Sequence, residues 1–133
     1  MSGNFSLDIS RFVEKAKGRI DLVVQKVTLD VFSDVIKMSP VKSGRFRGNW
    51  IAGEGSFPTT TTNNMDKSGE GSISAAAAIV AKAESGGVVY LVNNLPYAQR
   101  LEYGYSKQAP AGMVRVAITN YQNYVNNAVS NIN

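Results

Sequence analysis

The chain is predicted to fold as a single α+β domain, residues 1–133, with a long N-terminal helix, a small antiparallel sheet, short helices and a C-terminal helix packed on the sheet. Three patterns predict it. An apolar stripe at helical spacing covers 9–38, two short runs at 45–51 and 88–92 have strand character, and a second helical stripe covers 114–128. With 133 residues the chain holds one core; dividing it would leave neither half enough interior to be stable alone.

In the first stripe Ile9, Phe12, Val13, Ala16, Ile20, Val23, Val24, Val27, Val31, Val35 and Met38 recur at spacings of three and four. That describes one buried face on a helix of about 30 residues. Asp8 is the expected N-cap, its carboxylate accepting from first-turn amides. Ser39-Pro40 ends the helix, because proline donates no ladder bond and biases its predecessor away from α. Arg45 to Ile51 then alternates: Arg45, Arg47 and Asn49 fall on one side, Phe46, Gly48 and Trp50 on the other. The expectation is a half-buried strand with a basic outer face.

Residues 53–71, rich in Gly, Thr, Asn and Ser, read as a long excursion that is ordered only in an assembly or wraps over a neighbour. Ser72 or Ser74 is expected to cap a short helix over 75–83, ended by Ser85-Gly86-Gly87. Val88 to Val92 is the clearest strand. Tyr97 to Tyr103 is predicted as one or two helical turns stopped by Gly104 in the C′ role. Val114, Ala117, Ile118, Tyr121, Tyr124, Val125 and Ala128 support one final helix.

Composition excludes several function classes. The chain has no cysteine and no histidine, so it lacks thiolate nucleophiles, the commonest general base and the usual zinc ligands. A Ser-His-Asp or Cys-His hydrolase is impossible. No cofactor is expected. The start of the chain has no apolar leader and no run is long enough to span a bilayer, so the expectation is a protein made in the cytoplasm without a membrane partner. Net charge is +4, with small positive excesses in 39–56 and 88–133.

The motifs are weak as chemistry. Ser39-Pro40-Val41-Lys42 matches S-x-x-K, but proline and a Lys-Ser-Gly turn follow and the companion motifs are missing. Gly53-Glu54-Gly55-Ser56 and Gly69-Glu70-Gly71-Ser72 lack the full spacing of phosphate-binding loops. Asp30 with Asp34 reads as a solvated helix face. Lys42, Arg45 and Arg47, with Phe46 and Trp50, form the best candidate binding surface. Subunit contact is the favoured reading there, ahead of DNA contact facing a lumen, because base stacking would need the aromatics on the arginine side. Tyr90, Tyr97, Tyr103 and Tyr105 suit a core edge or interface.

Two stretches resemble a known family. Ser39-Pro40-Val41-Lys42-Ser43-Gly44-Arg45-Phe46-Arg47-Gly48-Asn49-Trp50 is similar to its S-P-V-D-T-G-x-L/F-R-x-x-W segment. Val89 to Gly104, containing Asn93, Pro96-Tyr97-Ala98 and Glu102, is similar to its Y-x-x-N-x-x-P-Y-A-x-x-x-E-x-G segment, and Ser106 to Met113 continues the match. The family is the neck or tail-completion proteins of long-tailed bacteriophages, of the lambda-like gene-ten-product type. The resemblance implies a structural virion protein that completes the tail and joins it to the head as a hexameric ring. The implied partners are further copies of itself, the head-completion or connector ring, and the tail terminator or tail tube protein, with passing contact to genomic DNA. A tail-terminator or minor tail subunit is the nearest alternative; a small DNA-binding protein using Lys42 to Arg47 is a more distant one. Carried over by motif, Gly44, Arg45, Arg47, Trp50, Asn93, Pro96, Tyr97, Glu102 and Gly104 build fold and interface rather than catalyse. Lys42 departs from the pattern, where the family often has an acid.

Overall fold

The computed structural model describes residues 4–8, 20–83 and 87–130. Its elements are β1 (Asn4–Asp8), α1 (Ile20–Met38), α2 (Arg45–Gly48), β2 (Trp50–Glu54), α3 (Glu70–Val80), β3 (Val88–Asn93), α4 (Ala98–Glu102), α5 (Val114–Thr119) and α6 (Tyr121–Ser130). The fold class is α+β: a small antiparallel sheet with the long helix and the C-terminal helices packed around it.

The long helix is built on a stripe of branched side chains. Val23, Val24, Val27, Val31, Phe32, Val35 and Ile36 are all buried. They share one hydrophobic cluster with Val89 and Leu91 of β3 and with Val114, Ala117, Tyr124, Val125 and Ala128 of α5 and α6. Branched residues lower helix propensity, so this burial, not intrinsic preference, holds α1. Tyr124 donates its hydroxyl to Asp34 at 2.7 Å, fastening α6 to α1. Burial, and then the Asp34 carboxylate, raise the Tyr124 pKa above its ordinary value, so the phenol stays protonated. The first half of the predicted stripe, Ile9 to Ala16, lies outside the described residues. Asp8, expected as a helix cap, is the last residue of β1, and the first turn it would cap lies outside the described residues.

The sheet runs in the order β1-β3-β2, both pairs antiparallel. β1 sets Asn4 opposite Val92 and Asp8 opposite Val88; β2 sets Trp50 opposite Asn93 and Glu54 opposite Val89. β3 is therefore the central strand, as its apolar run suits.

The expected strand at 45–51 is corrected. Gly44, at φ 90°, turns the chain into the short helix α2, and the strand starts only at Trp50. Gly48 N–H donates to the Gly44 carbonyl at 2.9 Å. A Cβ on Gly44 would lie 2.6 Å from the Lys67 nitrogen, so both the turn and the close approach require glycine. Alternation misled here because Phe46 and Trp50 are four apart, a spacing that aligns residues on a helix and on a strand alike. Both are buried, their ring centroids 5.8 Å apart edge to face.

The excursion is also corrected. It runs from 55 to 69 and lies on its own domain. Asn49 donates to the Thr62 carbonyl at 2.9 Å and accepts from Thr62 N–H at 2.9 Å, while Asn94 donates to the carbonyls of Pro58 and Thr60 at 3.0 and 3.1 Å. Phe57 packs edge-on against Tyr90. The following helix starts at Glu70, earlier than expected, because Asp66 accepts from Gly69 and Ser72 N–H at 3.1 and 2.8 Å. Ser72, predicted as the cap, instead donates to the Arg47 carbonyl at 3.0 Å. The single C-terminal helix is broken at Asn120, whose N–H is shared between the Val116 and Ala117 carbonyls.

A candidate docking groove

The two stretches that carry the family resemblance meet in space. Asn93, at the end of β3, donates to the Phe46 carbonyl at 2.9 Å and accepts from Leu95 N–H at 3.3 Å. It is buried and bridges α2 to the turn before α4. Phe46 lies 6.0 Å from Tyr97, ring to ring.

Between the 40–44 turn and the 97–108 segment runs an open groove of about 330 Å³. Its apolar surface comes from Pro40, Val41, Phe46, Tyr97, Leu101 and Tyr105, and no carboxylate lines it. Gln108 holds the walls at a fixed spacing. It accepts from Val41 N–H at 2.8 Å and donates to the Val41 carbonyl at 3.1 Å, as a strand partner would.

Wall 97–108 is itself rigidly made. Helix α4 ends in a Schellman motif, with Gly104 N–H on the Leu101 carbonyl and Tyr105 N–H on the Arg100 carbonyl, both 3.2 Å. Gly104, at φ 91°, fills the predicted C′ role, and a Cβ there would meet the Pro110 carbonyl oxygen at 2.5 Å. Glu102 is 1% exposed. Its carboxylate accepts from Met113, Val114 and Arg115 N–H at 3.1, 2.9 and 3.0 Å, and from Arg115 Nε at 3.2 Å. It therefore satisfies the amides at the start of α5, and Arg115 balances its charge.

Arg47 has a similar inward role. Its guanidinium donates to the carbonyls of Ser39 at 3.1 Å, Lys67 at 2.7 Å and Lys37. A cation there complements the C-terminal end of α1. Trp50 Nε1 donates to Ser39 Oγ at 2.7 Å. Of the cations expected to face DNA, Arg47 is thus occupied by carbonyls, and none of the three sits on a strand. Arg45 is half-buried, and its Nε is a buried donor without a partner. Lys42 is exposed on the groove wall.

Two exposed tyrosines of the 97–108 segment stack with cations. Tyr105 is 72% exposed with the Arg100 guanidinium 5.1 Å from its ring centre, and Tyr103 is 53% exposed with Arg115 at 4.9 Å. Pro96, a motif residue, lies exposed beside Phe57 and Asn94, outside the groove. The residues that sequence reasoning missed are Gln108, Asn49, Asn94 and Asp66. Gln108, Asn49 and Asn94 act on backbone far along the chain, which leaves no local pattern, while Asp66 acts three and six residues ahead at the start of a helix. Among the described residues no helix is long and apolar enough to cross a membrane, and no cluster of acidic side chains is placed to hold a metal ion. No protein-family model, curated protein or solved structure matches the chain.

Proposed function

We propose that the chain is a non-catalytic structural subunit of a tailed-bacteriophage neck, forming a ring that completes the tail and joins it to the head. One observation carries the reading. Five of the residues quoted for the family resemblance, Arg47, Trp50, Asn93, Glu102 and Gly104, brace the segments that wall an apolar groove. Side chains saturated by backbone groups suit a part that must keep its shape, not one that must exchange protons. Exposed tyrosines stacked with arginines are the usual composition of protein interfaces. A ring uses two different patches on each subunit, and a part that joins tail to head also needs a face for another protein, which the groove offers.

In vitro joining tests the proposal. Tails assembled without this chain should fail to join filled heads, and adding the purified chain should restore infectious particles. Joining at the same yield without the chain would sink the reading.

A further inference from the structure

The groove also has a charge, and the charge specifies a partner. Lys42 lies on one wall, Arg100 stacks on Tyr105 of the other, and Lys107 is exposed between the lining residues Ser106 and Gln108. The one carboxylate of the 88–130 stretch, Glu102, is buried and held by the first turn of α5. Among the described residues nothing acidic lines the groove to balance these cations.

We propose that the groove binds an acidic peptide segment of a partner protein, seating one apolar side chain against Tyr97, Leu101 and Tyr105 with flanking carboxylates on Lys42, Arg100 and Lys107. The inference deepens the assembly reading and rests on it for the presence of such a partner. The apolar lining argues against nucleic acid, because a phosphate backbone has nothing to bury there. Duplex binding also draws its affinity from many phosphate contacts and weakens steeply with salt, and three cations supply few of them.

The described part of a second copy offers no acidic segment to seat here. Asp30 is paired with Lys26 at 3.1 Å, Asp34 accepts from Tyr124, and Asp66 and Glu102 hold helix amides. Among the residues whose side chains are described, that leaves Glu54 and Glu70, which stand singly on different elements. The walls are pre-set by Gln108 and the Gly104 motif, so binding orders little of the protein.

The test is a fluorescence-anisotropy titration with a short labelled peptide of aspartate and glutamate around a central Phe-Leu pair. Its counterpart with every acid changed to the amide should bind about tenfold more weakly, the loss expected when complementary charge at a rim is removed. Lys42→Glu and Tyr105→Ala, both at exposed positions and checked for unchanged thermal unfolding, should each weaken the acidic peptide to a similar degree. Equal binding of the amide peptide, indifference to Lys42→Glu, or displacement of the peptide by duplex DNA at physiological salt would each overturn the proposal. Sedimentation of the same samples separates the two readings. A chain that binds the peptide but never assembles supports the groove and sinks the ring; one that assembles but ignores the peptide overturns the groove and leaves the ring standing.

Discussion

At the scale of single residues, the buried polar side chains of this protein work as fasteners for backbone. Glu102 is the clearest, a charged group at 1% exposure whose two oxygens meet three amides and a guanidinium. Removing it leaves those amides unmatched, while Arg115, which is exposed, keeps its bond to the Glu102 backbone carbonyl. Glu102→Ala should therefore lower stability by about 3 kcal/mol, since hydrogen bonds to charged groups contribute about 1.5–3 kcal/mol and unmet donors add to the loss. Urea unfolding checks it: the midpoint should fall with the slope unchanged, and an unshifted midpoint would contradict the role. Arg47 repeats the logic with the opposite sign, one guanidinium joining the carbonyls of Lys37, Ser39 and Lys67. Arg47→Lys should cost about 1–2 kcal/mol in the same assay, because a single ammonium cannot reproduce the planar fork.

At the scale of elements, the 55–69 loop is the segment whose attachment is easiest to perturb. Asn94 holds Pro58 and Thr60, Asn49 holds Thr62, and Asp66 joins the loop to α3. Asn94→Ala should speed proteolytic nicking within 57–62 several-fold while leaving the global unfolding midpoint nearly unchanged, since the loop buries little of the core. Asp66 adds a pH dependence. Burial alone would raise its pKa, but the hydrogen bonds from Ser72, then Gly69 and Gly71, outweigh it and hold the carboxyl below its ordinary 3.8. A depressed folded value means the contribution is complete above the unfolded value and disappears as pH falls through the folded one. Amide protection at the start of α3 should decline in that acid range. Asp66→Asn should flatten the decline and cost about 1 kcal/mol at neutral pH.

These elements also mark what was legible. The α1 stripe, β3 and the α4–Gly104 stop were readable because their signals are local and periodic. The α2–β2 step was not, since Phe46 and Trp50 fit both periods and only Gly44's positive φ decides between them. β1 carries a short Phe5, Leu7 alternation that is hard to see ahead of a long helical stripe. For the site, the motif residues were legible as a set while their tasks were not: Gln108 meets Val41 and Asn93 meets Phe46 across the chain.

At the scale of the whole molecule, a modest net charge of +4 is arranged so that one face has cations, tyrosines and an apolar cleft, and of the carboxylates whose side chains are described most are engaged internally. Such a face remains exposed in an isolated chain and gains from being covered. The central claim, a subunit that works by assembling, is tested most directly by light scattering of the purified chain across concentrations, alone and mixed with tail-tube protein. The account predicts one discrete ring mass, which either appears at high concentration or is templated by the tube. A mass that stays at the monomer's 14.3 kDa throughout, with no transfer onto tubes, would contradict it.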